Sequence, residues 1–255
     1  MSGFAELLPA AHRDSDAPVD LGAPRRIEGR DVYVFGANDR PVFALHELPG
    51  FTRQFIAFCR ELAARGFTVY APLLFGRVGE RATNRNFLKA AASRDWFILK
   101  DATPRIIGEL RRIRDAIHAF HPGRMGAIGM CFTGQLPVAL LDRDYMNAAV
   151  LSQPSMPFMG KSKVALDAAD IETAKRSGVP MIAFRFATDD ISPAGRQARF
   201  EQIFGAQLDF KEYPASEKLH AVLTETLFDK DGKMKTSGPS LEAFEKTHQY
   251  LAKRL

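Results

Sequence analysis

Residues 124–140 read RMGAIGMCFTGQLPVAL, and this stretch decides how the rest of the chain is interpreted. It begins as a short apolar strand pattern, passes through GMCFTG and continues into a predicted helix. Strand, sharp turn and helix in this order are typical of a nucleophile elbow, here with Cys131 at its apex. A strained turn needs small neighbours, which Gly129 and Gly134 provide, although Thr133 stands where another glycine is usual. A buried core cysteine on a strand is the alternative interpretation of Cys131.

The helix predicted after the turn would direct its free N–H groups at the Cys131 side chain. Unpaired amides and the positive end of a helix dipole favour a thiolate and a developing oxyanion. The second cysteine, Cys59, lies on the apolar stripe of a helix predicted over residues 51–65. We therefore expect Cys131 to carry chemistry and Cys59 to fill the core.

Length, composition and net charge limit which structural and functional classes the chain can belong to. The chain has 255 residues, of which 46% are hydrophobic, a length at which α/β folds often form one domain. Its net charge of +5 is not concentrated in a Lys/Arg block, which favours a solvated mixed surface over nucleic-acid binding. Two cysteines without a Cys/His cluster argue against a metal site or a disulfide framework. Because no signal peptide or membrane-length apolar run is recognisable, we expect a cytoplasmic protein without a membrane partner.

Short apolar strand patterns alternate with amphipathic helical patterns along the chain. Strands are predicted over residues 31–35, 41–45, 67–71, 125–128, 148–151, 180–186 and 207–213. Helices are predicted over residues 51–65, from an N-cap at Thr103 to about 120, 193–204 and 239–255. This alternation predicts a mostly parallel central sheet with helices on both faces. Residues 1–25 are predicted to be an N-terminal extension, and residues 26–255 a single domain.

Polar groups follow the last two predicted strands. The strand at residues 180–186 is followed by Asp189 and Asp190, and the strand at residues 207–213 by a loop that contains His220. Open α/β sheets place their sites at the carboxyl ends of parallel strands, so these groups are expected close together. Asp189 comes first off its strand and is the expected acid, whereas Asp190 would cap the following helix.

The order Cys131, Asp189, His220 is that of a nucleophile, an acid and a base in an α/β-hydrolase triad. His220 is the histidine in a loop after the acid-bearing strand, which favours it as the base. Surface or capping roles suffice for four others, which lie in the N-terminal extension or on helices: His12, His118, His121 and His248.

The sequence HELPG at residues 46–50 follows the strand at residues 41–45. In a hydrolase of this topology that position carries the loop that donates a second oxyanion N–H. A carboxylate such as Glu47 at the end of an apolar strand is costly unless it is paired or protonated, and a solvated loop glutamate is the alternative. The irregular region 73–94 either is solvated or shapes a substrate pocket, and it carries Arg77, Arg81, Arg85 and Arg94.

These segments resemble the dienelactone hydrolase family over roughly residues 30–250. The motifs that carry the resemblance are HELPG, RGFTVYAPLLFG, GMCFTG, PMIAFRFATDDISP and the histidine after YPASEKL. The resemblance implies an α/β-hydrolase fold and a triad of Cys131, His220 and Asp189. It also implies an oxyanion hole formed by the backbone N–H groups of Leu48 and Phe132.

In that family the glutamate that matches Glu47 contacts the resting cysteine and helps to deprotonate it when substrate arrives, so the resemblance implies the same role here. The sequence departs from the family at Leu73, where Asp is usual, and at Thr133. It also departs at Thr224 and its neighbours, where the family has an arginine for the substrate carboxylate, and before His220, where Gly-His is usual. The reaction class therefore transfers better than the substrate.

We predict a hydrolase that needs no cofactor or metal and cleaves a small lactone, ester or thioester through an acyl-enzyme on Cys131. Neither nucleic acid nor a membrane is an expected partner, and the sequence leaves the oligomeric state open. Two alternatives come from other functional classes. One is a non-catalytic binding protein with the same fold, and the other is a cysteine redox sensor.

Overall fold

The computed structural model describes residues 21–79, 102–157 and 160–255, which contribute an eight-stranded sheet. Its strands are β1 (Arg25–Ile27), β2 (Arg30–Phe35), β3 (Pro41–Leu45), β4 (Thr68–Pro72), β5 (Met125–Met130), β6 (Met146–Ser152), β7 (Met181–Phe186) and β8 (Leu208–Tyr213). They lie in the order β1-β2-β4-β3-β5-β6-β7-β8. The pairs made by β2 are antiparallel and the pairs from β4 to β8 are parallel. The predicted mostly parallel sheet is therefore confirmed.

Helices cover both faces of this sheet. They are α1 (Arg53–Ala64), α2 (Ile106–Phe120), α3 (Leu136–Ala139), α4 (Ala168–Ser177), α5 (Ala194–Phe204) and α6 (Pro239–Arg254). Apolar residues of α1 and α6 join one hydrophobic cluster, and those of α2 to α5 join the other. Strands covered on both sides are predominantly apolar, and β3, β4, β5 and β7 are buried throughout, with Arg185 of β7 as a buried charged residue.

The elements predicted from the sequence need two corrections. The helix α4 was not predicted, because Ala174 is its one fully buried residue and the remaining positions form no apolar stripe. The N-cap predicted at Thr103 is wrong, since α2 begins at Ile106 without a side-chain cap. The Thr103 hydroxyl donates to Asp170 Oδ2 at 2.6 Å and accepts the Asp167 N–H at 2.8 Å, so it anchors the start of α4 instead.

The first strand of the described chain is β1, which begins at Arg25, the last residue of the predicted N-terminal extension. Residues 1–20 of that extension lie outside the described part. The division into an extension and one domain stays a prediction. Among the helices that the structure describes, none is both long and apolar enough to cross a bilayer.

Candidate active site

The chain turns sharply where β5 ends. Cys131 has φ +51°, in the left-handed region that a residue with a side chain rarely adopts, as expected at a strained elbow. Its carbonyl accepts the N–H of Gly134 at 2.9 Å and of Ser155 at 3.0 Å. Because the bond to Gly134 spans three residues, the elbow opens with the 3₁₀ turn Cys131–Thr133, and α3 after it has four residues. The helix predicted after the turn is therefore present as this 3₁₀ turn and the short α3.

Two glycines are required by the packing of this turn. A Cβ atom at Gly129 would lie 2.3 Å from the carbonyl oxygen of Thr133 and 2.7 Å from Cδ of Pro137. A Cβ atom at Gly134 would lie 2.7 Å from Cα of Pro154. These distances are well inside van der Waals contact with backbone atoms, so the elbow needs glycine at both positions. The small-neighbour expectation from the sequence agrees with this packing.

Thr133 does not crowd the turn, contrary to what its departure from the family pattern suggests. Its buried hydroxyl accepts the Met130 N–H at 3.0 Å. The same oxygen lies 2.9 Å from the carbonyl oxygen of Leu45, 3.0 Å from that of Met130 and 3.3 Å from that of His46, so its single proton is shared among acceptors at the elbow and at the end of β3. Thr133 thereby fastens the elbow to the segment that follows β3.

Asp189 follows β7 and is 3% exposed. Its Oδ1 accepts the N–H groups of Ile191 at 2.9 Å and Ser192 at 3.0 Å, and its Oδ2 accepts Nδ1–H of His220 at 2.7 Å. Burial alone would raise the pKa of Asp189. The positive charge and hydrogen bond of His220, with the two backbone donors, lower that pKa instead, so Asp189 is an anion.

The loop that carries Asp189 is held by Arg185, a buried residue of β7. Arg185 Nε donates to the carbonyl of Ser192 at 2.7 Å, and Nη2 donates to the carbonyl of Asp189 at 3.2 Å. Asp190 points outward and pairs with Lys218 at 2.7 Å. The expectation that Asp190 caps the next helix is wrong, because α5 has no side-chain cap and Asp190 is taken by that surface lysine.

His220 lies between Asp189 and Cys131, and its side chain is 10% exposed. Because Nδ1 donates to Asp189, Nε2 is left on the other side of the ring, 3.5 Å from the Ser155 hydroxyl. Burial alone would lower the pKa of His220. The negative charges of Asp189 and then of Cys131 outweigh it and raise that pKa well above its ordinary value. The structure thus brings together the three side chains of the predicted triad.

Glu47 is buried and 4% exposed, so it is not the solvated loop residue of the alternative interpretation. Its Oε2 accepts Nε2–H of Gln153 at 3.0 Å, and its Oε1 accepts the hydroxyl of Thr224. Among the described residues no hydrogen bond joins Glu47 to Cys131. The resting contact implied by the family resemblance therefore stays a prediction.

The surroundings of Glu47 favour its protonated form. Burial raises its pKa to about 7, and the negative charge of Glu225 adds to that rise. The hydrogen bonds from Thr224 and Gln153, and the positive charge of His220, oppose the rise without cancelling it. Glu47 consequently titrates near neutral pH.

Gln153 is a residue of this site that the sequence did not single out, and Thr224 was noted only as a departure from the family pattern. Gln153 directly follows β6 and has φ +35°, a strained backbone conformation. Its Oε1 accepts the Ser152 hydroxyl and the Val222 N–H, the latter at 3.3 Å, which fixes its NH₂ group toward Glu47. The position of Gln153 at the carboxyl end of a parallel strand was a usable signal.

The expected oxyanion donors are the backbone N–H groups of Leu48 and Phe132. Leu48 packs against the hydrophobic cluster that contains Cys131 and Phe132. Within the described ranges the Leu48 N–H meets no hydrogen-bond acceptor. The Phe132 ring packs edge-on against Phe75, with centroids 5.7 Å apart.

The remaining candidates from the sequence lie away from this chemistry or outside the description. Cys59 is fully buried on α1, and burial raises its pKa well above the ordinary value, as expected of a core thiol. Arg77 is exposed. Three other arginines of the irregular region are not among the described residues: Arg81, Arg85 and Arg94.

Comparison with known proteins gives a family and a fold. The sequence model of the dienelactone hydrolase family matches residues 31–233. No curated protein matches the sequence. Solved structures that are similar to this chain include a candidate dienelactone hydrolase from Klebsiella pneumoniae, with 16% identity, TM-score 0.64 and coverage of 90% of this chain and 96% of that one.

Two esterases are also similar in structure. One, from Pyrococcus furiosus, has 12% identity and TM-score 0.59, and the match covers 96% of this chain and 97% of that one. The other, a cold-adapted esterase from an Arctic intertidal metagenomic library, has 18% identity and TM-score 0.56, with 91% and 92% covered. At such identities the likeness shows the shared fold, which is the α/β-hydrolase fold.

Proposed function

The chain belongs to the dienelactone hydrolase family, and we propose that it cleaves a small lactone, ester or thioester with Cys131 as nucleophile. Family membership supports a hydrolase. The observation that carries the cysteine mechanism is the placement of His220, which donates Nδ1–H to Asp189 at 2.7 Å and turns its other side toward Cys131. A thiol at a strained elbow, a base and an orienting carboxylate are the parts that acyl transfer requires.

In the first half-reaction Nε2 of His220 takes the thiol proton, and the Cys131 sulfur attacks the carbonyl carbon. The C–S bond forms while the π electrons of the carbonyl move onto oxygen. The N–H groups of Leu48 and Phe132 are the proposed donors to that oxyanion. Asp189 stabilises the imidazolium of His220 and keeps Nδ1 protonated.

Collapse of the tetrahedral intermediate breaks the bond to the leaving oxygen or sulfur, which takes the proton from Nε2. A lactone stays tethered as a hydroxyacyl group, because its leaving oxygen belongs to the same molecule. In the second half-reaction Nε2 removes a proton from water, and the hydroxide attacks the thioester. The sulfur of Cys131 then leaves as thiolate, and the carboxylic acid is released.

The departure at Thr224 bears on the substrate. Where the family resemblance implies an arginine for a substrate carboxylate, Thr224 is buried and its hydroxyl is bound to Glu47. At this position the described chain therefore has a neutral hydroxyl beside the carboxyl group of Glu47, and not an arginine. We propose that the acyl part of the substrate is uncharged where it passes Thr224.

The direct test is acyl-enzyme trapping by mass spectrometry with a panel of p-nitrophenyl esters, a six-membered lactone and an alkyl thioester. We expect rapid release of the leaving group and an acyl mass on the peptide that contains Cys131. Cys131→Ala should show neither acylation nor turnover, whereas the matched variant Cys59→Ala should behave like the natural protein. Turnover that survives in folded Cys131→Ala would exclude the mechanism. Peroxide sensitivity of Cys131 without turnover would indicate a redox sensor.

A further inference from the structure

Side chains contact three successive backbone carbonyls at the end of β3. The Thr133 hydroxyl reaches the carbonyl oxygens of Leu45 at 2.9 Å and His46 at 3.3 Å. The carbonyl of Glu47 is 2.9 Å from Nδ1 of the His46 ring. The Glu47 carbonyl, which lies beyond the last residue of β3 and directly before Leu48, has the His46 ring as a donor of its own.

The hydrogen bonds of His46 define its tautomer. The ring is fully buried, and its Nε2 lies 3.0 Å from the backbone nitrogen of Leu74. A backbone N–H can only donate, so Nε2 is the unprotonated nitrogen and Nδ1 carries the proton. Nδ1–H therefore donates to the carbonyl of Glu47. Burial lowers the pKa of His46 to about 4, which keeps the ring neutral at physiological pH.

Aromatic neighbours fix the plane of this ring. Phe51, Phe55 and Phe75 pack against His46 with centroid distances of 5.1 Å, 5.7 Å and 4.4 Å and steep interplanar angles. A ring enclosed in this way cannot rotate to another partner without disturbing the packing. The direction of Nδ1–H is consequently set by the core.

The peptide between Glu47 and Leu48 is trans, since the cis bonds of the described chain are Leu48–Pro49 and Met156–Pro157. In a planar trans peptide the C=O and N–H groups point in opposite directions. When His46 holds the carbonyl of Glu47, the N–H of Leu48 is directed away from the His46 ring. Leu48 packs against the cluster that contains Cys131.

We propose that His46 is a positioning residue that orients the Leu48 N–H as an oxyanion donor. Its ring links the Glu47–Leu48 peptide to the backbone of Leu74 through one hydrogen bond at each nitrogen. This inference rests on the proposed function, because an oxyanion forms only if Cys131 attacks a carbonyl. His46 itself touches neither the thiol nor the reacting atoms. It acts by keeping one peptide plane from rotating.

Two substitutions separate the contributions of the two hydrogen bonds of the His46 ring. In His46→Asn the side-chain NH₂ can occupy the place of Nδ1 and still donate to the Glu47 carbonyl, while the bond to Leu74 is lost. In His46→Gln the amide oxygen can occupy the place of Nε2 and accept from Leu74, while the bond to the Glu47 carbonyl is lost. The inference requires the Asn variant to be the more active one.

We expect His46→Gln to lower kcat for an ester by about 100-fold with KM little changed, as for loss of one oxyanion donor. His46→Asn should recover most of that loss. Alkylation of Cys131 by iodoacetamide forms no oxyanion, so its rate should be the same in all three proteins. Affinity for an aldehyde, which forms a hemithioacetal with an oxyanion-like oxygen, should fall in the Gln variant alone. Equal kcat in both variants, or slower alkylation in the Gln variant, would overturn the inference.

The aldehyde experiment also distinguishes the two proposals. If the natural protein binds an aldehyde at Cys131 but hydrolyses no ester, lactone or thioester, the proposed function fails and the ranking of aldehyde affinities still decides the role of His46. Equal affinities would overturn that role. If neither variant folds, nitrogen-15 NMR of the natural protein decides the matter, because the inference requires a neutral ring protonated on Nδ1. A ring protonated on Nε2 would overturn it.

Discussion

Glu47 and Asp189 are two carboxyl groups of one site, buried to the same degree, and their pKa values are shifted in opposite directions. Burial disfavours the anion in both. Asp189 meets a cationic His220 and two backbone N–H groups, which more than offset that penalty. Glu47 bonds a neutral hydroxyl and a neutral amide, and the like charge of Glu225 acts on it; His220 lowers its pKa only by its charge, without a hydrogen bond. The partners, rather than the burial, decide which carboxyl group is ionised.

This difference gives the two groups different chemical capacities. Asp189 keeps its charge at all physiological pH values and can stabilise an imidazolium through the whole reaction. Glu47, with a pKa of about 7, can hold or release a proton within the working range of an enzyme. Two carboxyl groups pushed apart in this way are a common arrangement where one must be an anion and the other must exchange protons.

The largest effect should come from removing the charge of the ionised partner. Asp189→Asn should reduce kcat by roughly 10⁴-fold, because an amide cannot stabilise the imidazolium and favours the wrong tautomer of His220. Asp190→Asn is the matched control, since Asp190 pairs with Lys218 at the surface. It should leave kcat close to that of the natural protein. Comparable small losses in both variants would remove Asp189 from the triad.

Glu47→Gln should remove a pH-dependent loss of stability. Between its ordinary pKa of 4.5 and its folded value of about 7, Glu47 keeps a proton that the unfolded chain has released, so the stability it contributes is lost as pH rises through 7. The interval corresponds to roughly 3 kcal/mol. Gln can accept from Gln153 and donate to the Thr224 oxygen, so it fits without a charge.

Urea unfolding from pH 4.5 to 8 measures this effect. The free energy of unfolding of Glu47→Gln, minus that of the natural protein, should increase by roughly 3 kcal/mol across the range. Two parallel curves would mean that Glu47 is already ionised at low pH and that the contrast with Asp189 does not exist.

Thr224→Val should widen the difference between the pKa values of Glu47 and Asp189, with a smaller energetic effect than the two changes above. The Thr224 hydroxyl donates to Glu47 and lowers its pKa, so without it the pKa of Glu47 should rise further, by about one pH unit, or about 1.4 kcal/mol. Carbon-13 NMR of the Glu47 carboxyl group would follow the titration. Thr226→Val is the control, because Thr226 bonds Ala221 and Ser240 instead. A midpoint that moves equally in both variants would contradict the assignment to Thr224.

The smallest effect concerns the thiol. Glu47 and Cys131 both interact electrostatically with His220, so an ionised Glu47 opposes a second negative charge nearby. Glu47→Gln should therefore make Cys131 react a few-fold faster with iodoacetamide near neutral pH. It should also lower ester turnover, because a group able to exchange a proton is gone. If alkylation and turnover are both unchanged, Glu47 has no part in the mechanism.

The sheet could be predicted because its central strands are buried on both faces and appear as predominantly apolar runs. The strand β3 was predicted with its observed bounds, and β7 to within one residue. The helix α4 could not be found, because a solvated helix with one buried alanine lacks the periodicity on which prediction depends.

The site could be located because chain order and strand ends limit where a nucleophile, an acid and a base can meet. Cys131, Asp189 and His220 follow from that rule. Gln153 also lies at a strand end, but neither it nor Thr224 carries a charge or a nucleophile that would mark it as a site residue, and they meet Glu47 from 106 and 177 residues away in sequence. Nor does the sequence show which nitrogen of His46 is protonated, because that depends on the Leu74 backbone in another loop.

The fixed amide of Gln153 has a stereochemical consequence for Glu47. Its oxygen is occupied by Ser152 and Val222, so only its NH₂ group can face Oε2 of Glu47, and a proton on Oε2 would meet another donor. A protonated Glu47 must therefore carry its hydrogen on Oε1, and the hydroxyl of Thr224 must reverse from donor to acceptor. Each change in the charge of this site is thus accompanied by the rotation of a single O–H bond, that of a fully buried threonine.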